Sequence, residues 1–227
     1  YAEGKWTYQW KTRILALSSF HLSQASTRDF YDLLKKYNPS FLRGYPSALY
    51  LFARLLEEQE MALHYPVMFS GAETLLPFQR EKIEQVFKAK LIDHYTLWER
   101  VGSIRECLYG NLHAENDFGW HEILLNDDTP AQPGQIGRLV CTGLFNKAMP
   151  LIRYDTRDLA VWSDKTSCPC GSRFPIIDRI IGRIEDVVLT PEGRLVGRLD
   201  AAFKYTPALR LAQIIQETPE SITVLIV

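Results

Sequence analysis

Cys107 and His113 stand on either side of Tyr109-Gly110-Asn111, and Cys168 and Cys170 lie on a later Ser/Lys/Pro/Gly loop that offers thiols no core to fill. Three thiolates and one imidazole make a closed tetrahedral shell, the donor set of structural zinc, with no open position for a catalytic water. The same residues also fit a set of unrelated core or surface thiols, because Cys-x-Cys is a weaker metal signal than Cys-x-x-Cys. Cys141, inside GRLVCTGL, reads as core, and His121, inside GWHEIL, as a strand-surface side chain. Among the acids, Glu73, Glu99 and Asp158 each follow an apolar strand or open a loop. Carboxylates at such places can meet a magnesium-bearing or hydroxyl-rich ligand. Each is equally readable as a helix cap or a solvated turn, and the three gain weight only if the fold brings them to one edge. Tyr95 and Trp98 could stack on a base or ring, although aromatics near a sheet edge are more often core. The stretch from Met149 to Asp186 joins a strand bearing Arg153 and Asp158, the thiol loop, and an apolar run, Ile176 to Ile181. That run halts at Gly182-Arg183-Ile184-Glu185-Asp186, a charged joint between two bodies.

Positioning these groups requires a frame, and the hydrophobic spacing supplies one. Ile14 to Leu17 reads as a strand, and Ser26-Thr27-Arg28-Asp29 as a helix start with Ser26 as cap. Asn38-Pro39 ends that helix. Phe41 to Gly44 is a short strand, after which Pro46 opens a helix at its first turn. Pro66 to Phe69 is a strand, Pro77 to Phe87 a helix and Lys90 to Ile92 a strand. This alternation predicts a layered, mostly parallel sheet up to about residue 105, whose ligands gather beyond the carboxyl ends of its strands. The edges there are Ser70-Gly71-Ala72-Glu73 and Asp93 to Arg100. From about residue 119 the texture changes. Trp120 to Leu125, Gly137 to Leu144, Leu151 to Tyr154 and Leu159 to Trp162 read as strands without helices between them, an antiparallel sheet or small barrel. A hairpin, Val187 to Thr190 with Arg194 to Val196, and strands Leu209 to Ile215 and Ile222 to Val227 follow. The expected class is therefore α/β: a layered subdomain, a small antiparallel sheet, and the start of a small C-terminal domain. The boundary falls at the joint, between 1–181 and 182–227.

Composition narrows the function classes. With 26 Lys plus Arg against 27 Asp plus Glu, and no basic block, the 227-residue chain gives no argument for a nucleic-acid or membrane surface. No apolar run reaches the length of a membrane span, and YAEGKWTYQW lacks the regions of a signal peptide. A cytoplasmic protein with small-molecule or protein partners is the expectation, and in a reducing compartment clustered thiols favour metal or redox roles. A first residue that is Tyr1 and a last strand that stops in an apolar run read as a piece of a longer protein.

These residues resemble the adenylate-forming acyl-CoA synthetase superfamily, and within it the phenylacetate-CoA ligase branch. Ser70 to Glu73 is similar to the branch's Ser-Gly-x-Glu, and Asp93 to Glu99 to its Asp-x-Tyr-Gly-x-x-Glu. Leu151 to Asp158 is similar to Ile-Arg-Tyr-x-x-Gly-Asp, Gly182 to Asp186 to the Gly-Arg-x-Asp-Asp hinge, and Gly44-Tyr45-Pro46-Ser47 to a Gly-x-Pro-Ser turn. Cys107, His113, Cys168 and Cys170 resemble a metal site of relatives, with structural zinc. The resemblance implies a reaction in two steps. A carboxylic acid attacks the α-phosphate of ATP to give an acyl adenylate, and a thiol such as coenzyme A then displaces AMP. It also implies roles. Tyr95 lies against adenine, Glu99 binds magnesium and is the catalytic acid group, Asp158 holds the ribose hydroxyls, and Arg183 supports the nucleotide. Ser70, Gly71, Ala72, Glu73 and Asp93 line the adenine and acyl pocket, and a homodimer is possible for such a protein. A small C-terminal domain turning about Glu185 then exchanges the catalytic faces.

The chain departs from the branch at four positions. Thr96 and Arg157 stand where Gly is usual, Trp98 where a small or hydroxylated residue precedes Glu99, and Glu185 where Asp or Lys marks the hinge. Neither the Gly/Ser/Thr-rich phosphate loop nor the C-terminal lysine segment is found in this sequence. Two other readings remain open: a degenerate nucleotide- or acyl-binding module, and a zinc-stapled structural domain.

Overall fold

A computed structural model describes residues 4–184, 188–191, 193, 195–196 and 212–226. It divides into two compact units, Tyr1–His94 and Tyr95–Val227. Of the expected joint, Glu185 and Asp186 lie outside the described residues, as do Val187 and Arg194 of the expected hairpin.

The first unit opens with an antiparallel pair, β1 (Trp6–Gln9) and β2 (Ile14–Leu17), in register Trp6 with Leu17. Helix α1 (Thr27–Tyr37) ends at Asn38, whose left-handed backbone (φ 42°) comes just before Pro39. Ser26 precedes α1 as expected but makes no side-chain cap; its hydroxyl donates instead to the His21 carbonyl. Strand β3 (Leu42–Gly44) leads into α2 (Pro46–Glu58), whose first position is a proline, where a missing N–H costs nothing. Strand β4 (Val67–Gly71), helix α3 (Pro77–Phe87) and strand β5 (Lys90–Thr96) complete the layer. The buried Gln79 accepts the Leu76 N–H at 3.0 Å and so closes the start of α3. The three strands run parallel, with Gly44 opposite Ser70 and Gly71 opposite His94. Phe52, Leu56, Met68, Ile83, Phe87 and Leu91 form the centre of the core, each contributing about 1.5–3 kcal/mol by leaving water. A side chain at Gly71 would place its Cβ 2.5 Å from the His94 carbonyl, so only glycine lets these strands pair at this point.

The second unit is β-rich. Its main strands are β6 (Ser103–Glu106), β7 (Leu112–Ala114), β8 (Gly119–Leu124), β9 (Ile136–Gly143), β10 (Tyr154–Trp162) and β11 (Ile176–Arg183). They pair antiparallel in the order β6-β7-β11-β10-β9-β8. Two short pairs follow: β12 (Val188–Leu189) with β13 (Leu195–Val196), and β14 (Ala212–Thr218) with β15 (Ser221–Ile226). Spacing alone gives no sign of β6 and β7. They are too short to display an alternation, and turn at Gly110 (φ 80°). Where the sequence reads two strands, Leu151 to Tyr154 and Leu159 to Trp162, the structure has one strand, β10, with an irregularity between Asp155 and Leu159. Among the described residues no helix is long and apolar enough to cross a membrane.

Candidate functional site

In the first unit the candidate residues gather at the carboxyl ends of β3 and β4, with Asp93 inside β5 opposite Ser70. Ser70 is fully buried and its hydroxyl donates to Asp93 Oδ1 at 2.7 Å, which ties the ends of β4 and β5 together. Ala72 follows with a left-handed backbone (φ 65°) that turns the chain out of β4. Glu73 then reaches α2, where its Oε2 accepts the Ser47 N–H at 3.1 Å. Pro46 has no N–H to offer, so Ser47 carries the first donor of that helix, and a carboxylate there is favoured by the helix dipole. The helix-cap reading of Glu73 is thus realised across the tertiary structure. Strand β5 extends beyond the expected Ile92 to Thr96, so Asp93 lies within the strand and not past its end.

In the second unit, Tyr95, Glu99, Asp158 and Arg183 come together. The β10 irregularity is decisive. Between Asp155 and Leu159 the partner β9 advances only from Val140 to Arg138, so β10 carries extra residues there. Arg157 takes up the excess in a left-handed conformation (φ 60°), the geometry in which glycine is free of strain. Thr156 secures the bulge by donating its hydroxyl to the Leu139 carbonyl at 2.8 Å and accepting the Asp158 N–H at 3.1 Å. Such bulges re-aim a side chain. Here Asp158 ends up 5% exposed, opposite Arg183 across the β10–β11 ladder. Gly182, beside Arg183, has φ 124°, open only to glycine.

Asp158 Oδ2 accepts the Tyr95 phenol at 2.6 Å. Burial first, and the neighbouring Asp158 carboxylate second, push the Tyr95 phenol far above its ordinary range, so it remains a donor. Glu99, in the turn after β5, accepts the Tyr154 phenol on Oε1 at 3.0 Å, and this bond raises the Tyr154 phenol. Tyr154 lies within Leu151 to Asp158 but is not among the candidate residues; the signal that finds it is the Tyr-x-x-x-carboxylate spacing shared by 95–99 and 154–158. Arg153, the other polar residue before β10, has a left-handed backbone (φ 49°) and forms a bidentate pair with Glu122 at 3.3 Å. Thr96, Trp98 and Arg157 are all exposed, and Trp98 is fully so, covering nothing in its own unit.

The thiols and imidazole also meet within the second unit. Cys107 and His113 lie on the β6–β7 hairpin, Cys168 and Cys170 on the β10–β11 connection, and β7 pairs with β11 through His113 and Ile176. The cluster is internal to one unit, because β6 and β7 belong to the same unit as the β10–β11 connection. The four donor atoms all lie within 4.8 Å of one another. Cys107 and Cys168 sulfurs are 3.6 Å apart, and Cys170 Sγ is 3.4 Å from His113 Nε2. A tetrahedron with zinc bond lengths has donor separations of roughly 3.5–3.8 Å. His113 Nδ1 lies 3.2 Å from the Phe174 carbonyl, which can only accept. The proton is therefore on Nδ1, and the Nε2 lone pair faces the thiols. Asn111 donates to Cys168 Sγ at 3.2 Å, and hydrogen bonds, the Cys170 backbone N–H foremost, bring the Cys168 thiol down to about 6. The donor set fits a closed zinc shell.

His121 is buried at 3% exposure, contrary to the strand-surface reading. Its Nε2 accepts the Ser103 N–H at 3.2 Å and its Nδ1 donates to Asn116 Oδ1 at 2.9 Å. Burial holds its pKa at about 4. Cys141 is core as expected, its thiol pushed up to about 12 by burial.

No family model matches the chain. It is 26% identical over 193 residues to protein CapK of Staphylococcus aureus, across 84% of this chain and 42% of that protein. To phenylacetate-coenzyme A ligase of Thermus thermophilus it is 29% identical over 186 residues, 77% of this chain and 41% of the relative. The Escherichia coli protein of the same name is also 29% identical, over 180 residues, 74% of this chain and 40% of the relative. The chain therefore spans about 40% of the length of the curated relatives it matches. In fold it is similar to 2-hydroxyisobutyryl-CoA ligase in the postadenylation state in complex with R3-HIB-AMP, with a TM-score of 0.70, 20% identity, and coverage of 90% of this chain and 46% of that one. Anthranilate CoA ligase in complex with anthranoyl-AMP gives a TM-score of 0.59 at 12% identity, over 90% of this chain and 42% of that one.

Proposed function

We propose that this chain, a sequence relative of the phenylacetate-CoA ligases with the fold of the adenylate-forming acyl-CoA synthetase-like superfamily, forms part of an ATP-dependent ligase that activates a carboxylic acid. The acid becomes an acyl adenylate and then passes to a thiol such as coenzyme A; the structural neighbours in complex with an acyl-AMP, and 2-hydroxyisobutyryl-CoA ligase in complex with both 2-HIB-AMP and CoA, support both substrates. The observation that carries the reading is the bulge in β10. It buries the Asp158 carboxylate beside the Tyr95 phenol and opposite Arg183, from positions far apart in sequence.

In this reading Asp158 accepts the ribose hydroxyls, Tyr95 borders adenine and Arg183 supports the nucleotide near the joint. Glu99 meets the magnesium that neutralises phosphate charge, the principal need of phosphoryl chemistry. Ser70, Gly71, Ala72, Glu73 and Asp93 of the first unit are assigned to nucleotide and acyl binding by the resemblance, and within that unit they are held by the Ser70–Asp93 bond and by Glu73 at α2. Residues 1–181 would then be the later part of the large domain, and 182–227 the joint and the start of the small one. Cys107, His113, Cys168 and Cys170 hold a structural zinc, supported by the donor spacing and by the tautomer that Phe174 imposes on His113. The reading places the protein in the cytoplasm and leaves a homodimer open as its assembly.

The alternative, a degenerate binding module, rests on the bulk at Thr96, Trp98 and Arg157, all three exposed. The test is calorimetric titration with AMP. Asp158→Ala should weaken binding by about 1.5–3 kcal/mol, the worth of hydrogen bonds to a charged group. An Asp158→Ala protein that binds AMP as tightly as the parent dismisses the ribose role. In the full-length protein, pyrophosphate release with ATP and a panel of aryl and acyl acids then separates ligase from binding module.

A further inference from the structure

Residues 95–99 and 154–158 share one pattern, a tyrosine followed four positions later by a carboxylate, and the fold crosses the two copies. Tyr95 donates to Asp158 at 2.6 Å, and Tyr154 donates to Glu99 at 3.0 Å. A carboxylate only accepts, so the direction of both bonds is fixed. The two acids differ in what else holds them. Asp158 sits on a strand, its backbone secured by Thr156. Glu99 sits in a turn next to Arg100, whose backbone is left-handed (φ 57°), and its carbonyl receives only a 3.4 Å bond from Asn146. Among the described residues Tyr154 is the one hydrogen-bond partner of the Glu99 carboxylate. Tyr154 itself is anchored at the start of β10, in register with Cys141 of β9.

We infer that Tyr154 is a positioning residue: its phenol fixes the Glu99 carboxylate by one oxygen, Oε1, so that a divalent cation bound with a nucleoside triphosphate meets this acid through Oε2 alone. The inference rests on the nucleotide reading above and deepens it. It turns a flexible side chain on a turn into an oriented single ligand, at a place where turning the other way would offer both oxygens. Partners of this kind, which do not touch the metal, govern how well a ligand is presented to it. The phenol is suited to the task because its proton is retained well above neutral pH.

The experiment measures how much Mn2+ strengthens ATP binding, as the ratio of dissociation constants without and with the metal, in the parent and in Tyr154→Phe. AMP binding in the absence of metal is measured beside it. Loss of an oriented second contact typically costs 10–100-fold in metal affinity. Tyr154→Phe should therefore lower the Mn2+ enhancement by roughly tenfold while metal-free AMP binding stays within about twofold, a split that general loosening of the fold would not give. An unchanged enhancement overturns the inference, as does an equal fall in ATP and AMP binding. A parent protein that binds AMP but gains nothing from Mn2+ overturns the inference and leaves the ribose assignment of Asp158 standing. A parent that binds no AMP overturns the nucleotide reading and the inference with it.

Discussion

The two units of this chain solve the same problem by opposite means. The first buries a continuous apolar core, with Phe52, Leu56, Met68, Ile83, Phe87 and Leu91 at its centre, and the polar side chains it buries, Ser26, Thr27, Ser47, Ser70 and Gln79, carry no charge to gain or lose. The second places His113, His121, Cys141, Thr156 and Asp158 inside its sheet, each needing a particular partner. Apolar packing tolerates changes of pH and metal, because water release does not depend on protonation. A polar interior does not, since each buried group is stable only in one charge state or with one ligand. The difference teaches that the second unit is the conditional part of the molecule.

The largest separation between the units should come from metal. The protein should carry about one zinc per chain. Its removal by a strong chelator should abolish hydrogen-exchange protection around β6, β7 and the β10–β11 connection while α1, α2 and α3 keep theirs. Zinc bound by such a set is worth on the order of 10 kcal/mol at neutral pH, enough to decide whether this end of the unit folds. Elemental analysis without zinc, or a Cys170→Ser protein of unchanged stability, would remove the contrast.

Acid should separate the units next. His121 has its folded pKa at about 4, below its ordinary 6.5, so the unfolded chain binds the extra proton first. Stability contributed by the neutral ring is intact above about pH 6.5 and is lost as pH falls toward 4, by on the order of 3 kcal/mol in all. Denaturant melts of the second unit at pH 7 and pH 4.5 should show this loss, and His121→Gln should flatten it. A parent and variant with the same pH dependence would assign the acid sensitivity elsewhere.

A smaller effect sharpens the account of the β10 bulge. At φ 60° a glycine is unstrained and an alanine is not, so Arg157→Gly should be more stable than Arg157→Ala by about 1 kcal/mol. Comparing these two variants cancels whatever the arginine side chain contributes. Equal melting temperatures would mean that the left-handed backbone is not maintained in solution.

The same contrast accounts for what could be read in the sequence. Helices α2 and α3 begin at the prolines expected of them, Pro46 and Pro77, and strands β3 and β4 fall close to where the apolar runs put them. Apolar periodicity is a local signal, and the first unit is built from it. In the second unit, β10 was legible only as two pieces, because extra residues at the bulge shift the inside-outside alternation on one side against the other. His121 was misplaced for a related reason. A histidine one step from Trp120 on an edge strand reads as outward until Asn116 and the Ser103 backbone, neither adjacent in sequence, provide for both ring nitrogens. The thiol cluster was legible as four residue types, but the hairpin that carries two of them was not. Tyr154 went unselected because a phenol gains its meaning from the acid it meets.

Trp98 extends into water on every side, directly before Glu99 in the chain. An indole so placed emits red-shifted light and is open to collision with any dissolved quencher. Indoles packed into a protein core emit further to the blue and are shielded. Anything that settles beside Glu99 would change the surroundings of this indole, so its emission, told apart from that of the other exposed tryptophans Trp6, Trp10 and Trp120, is an optical reporter next to this acid.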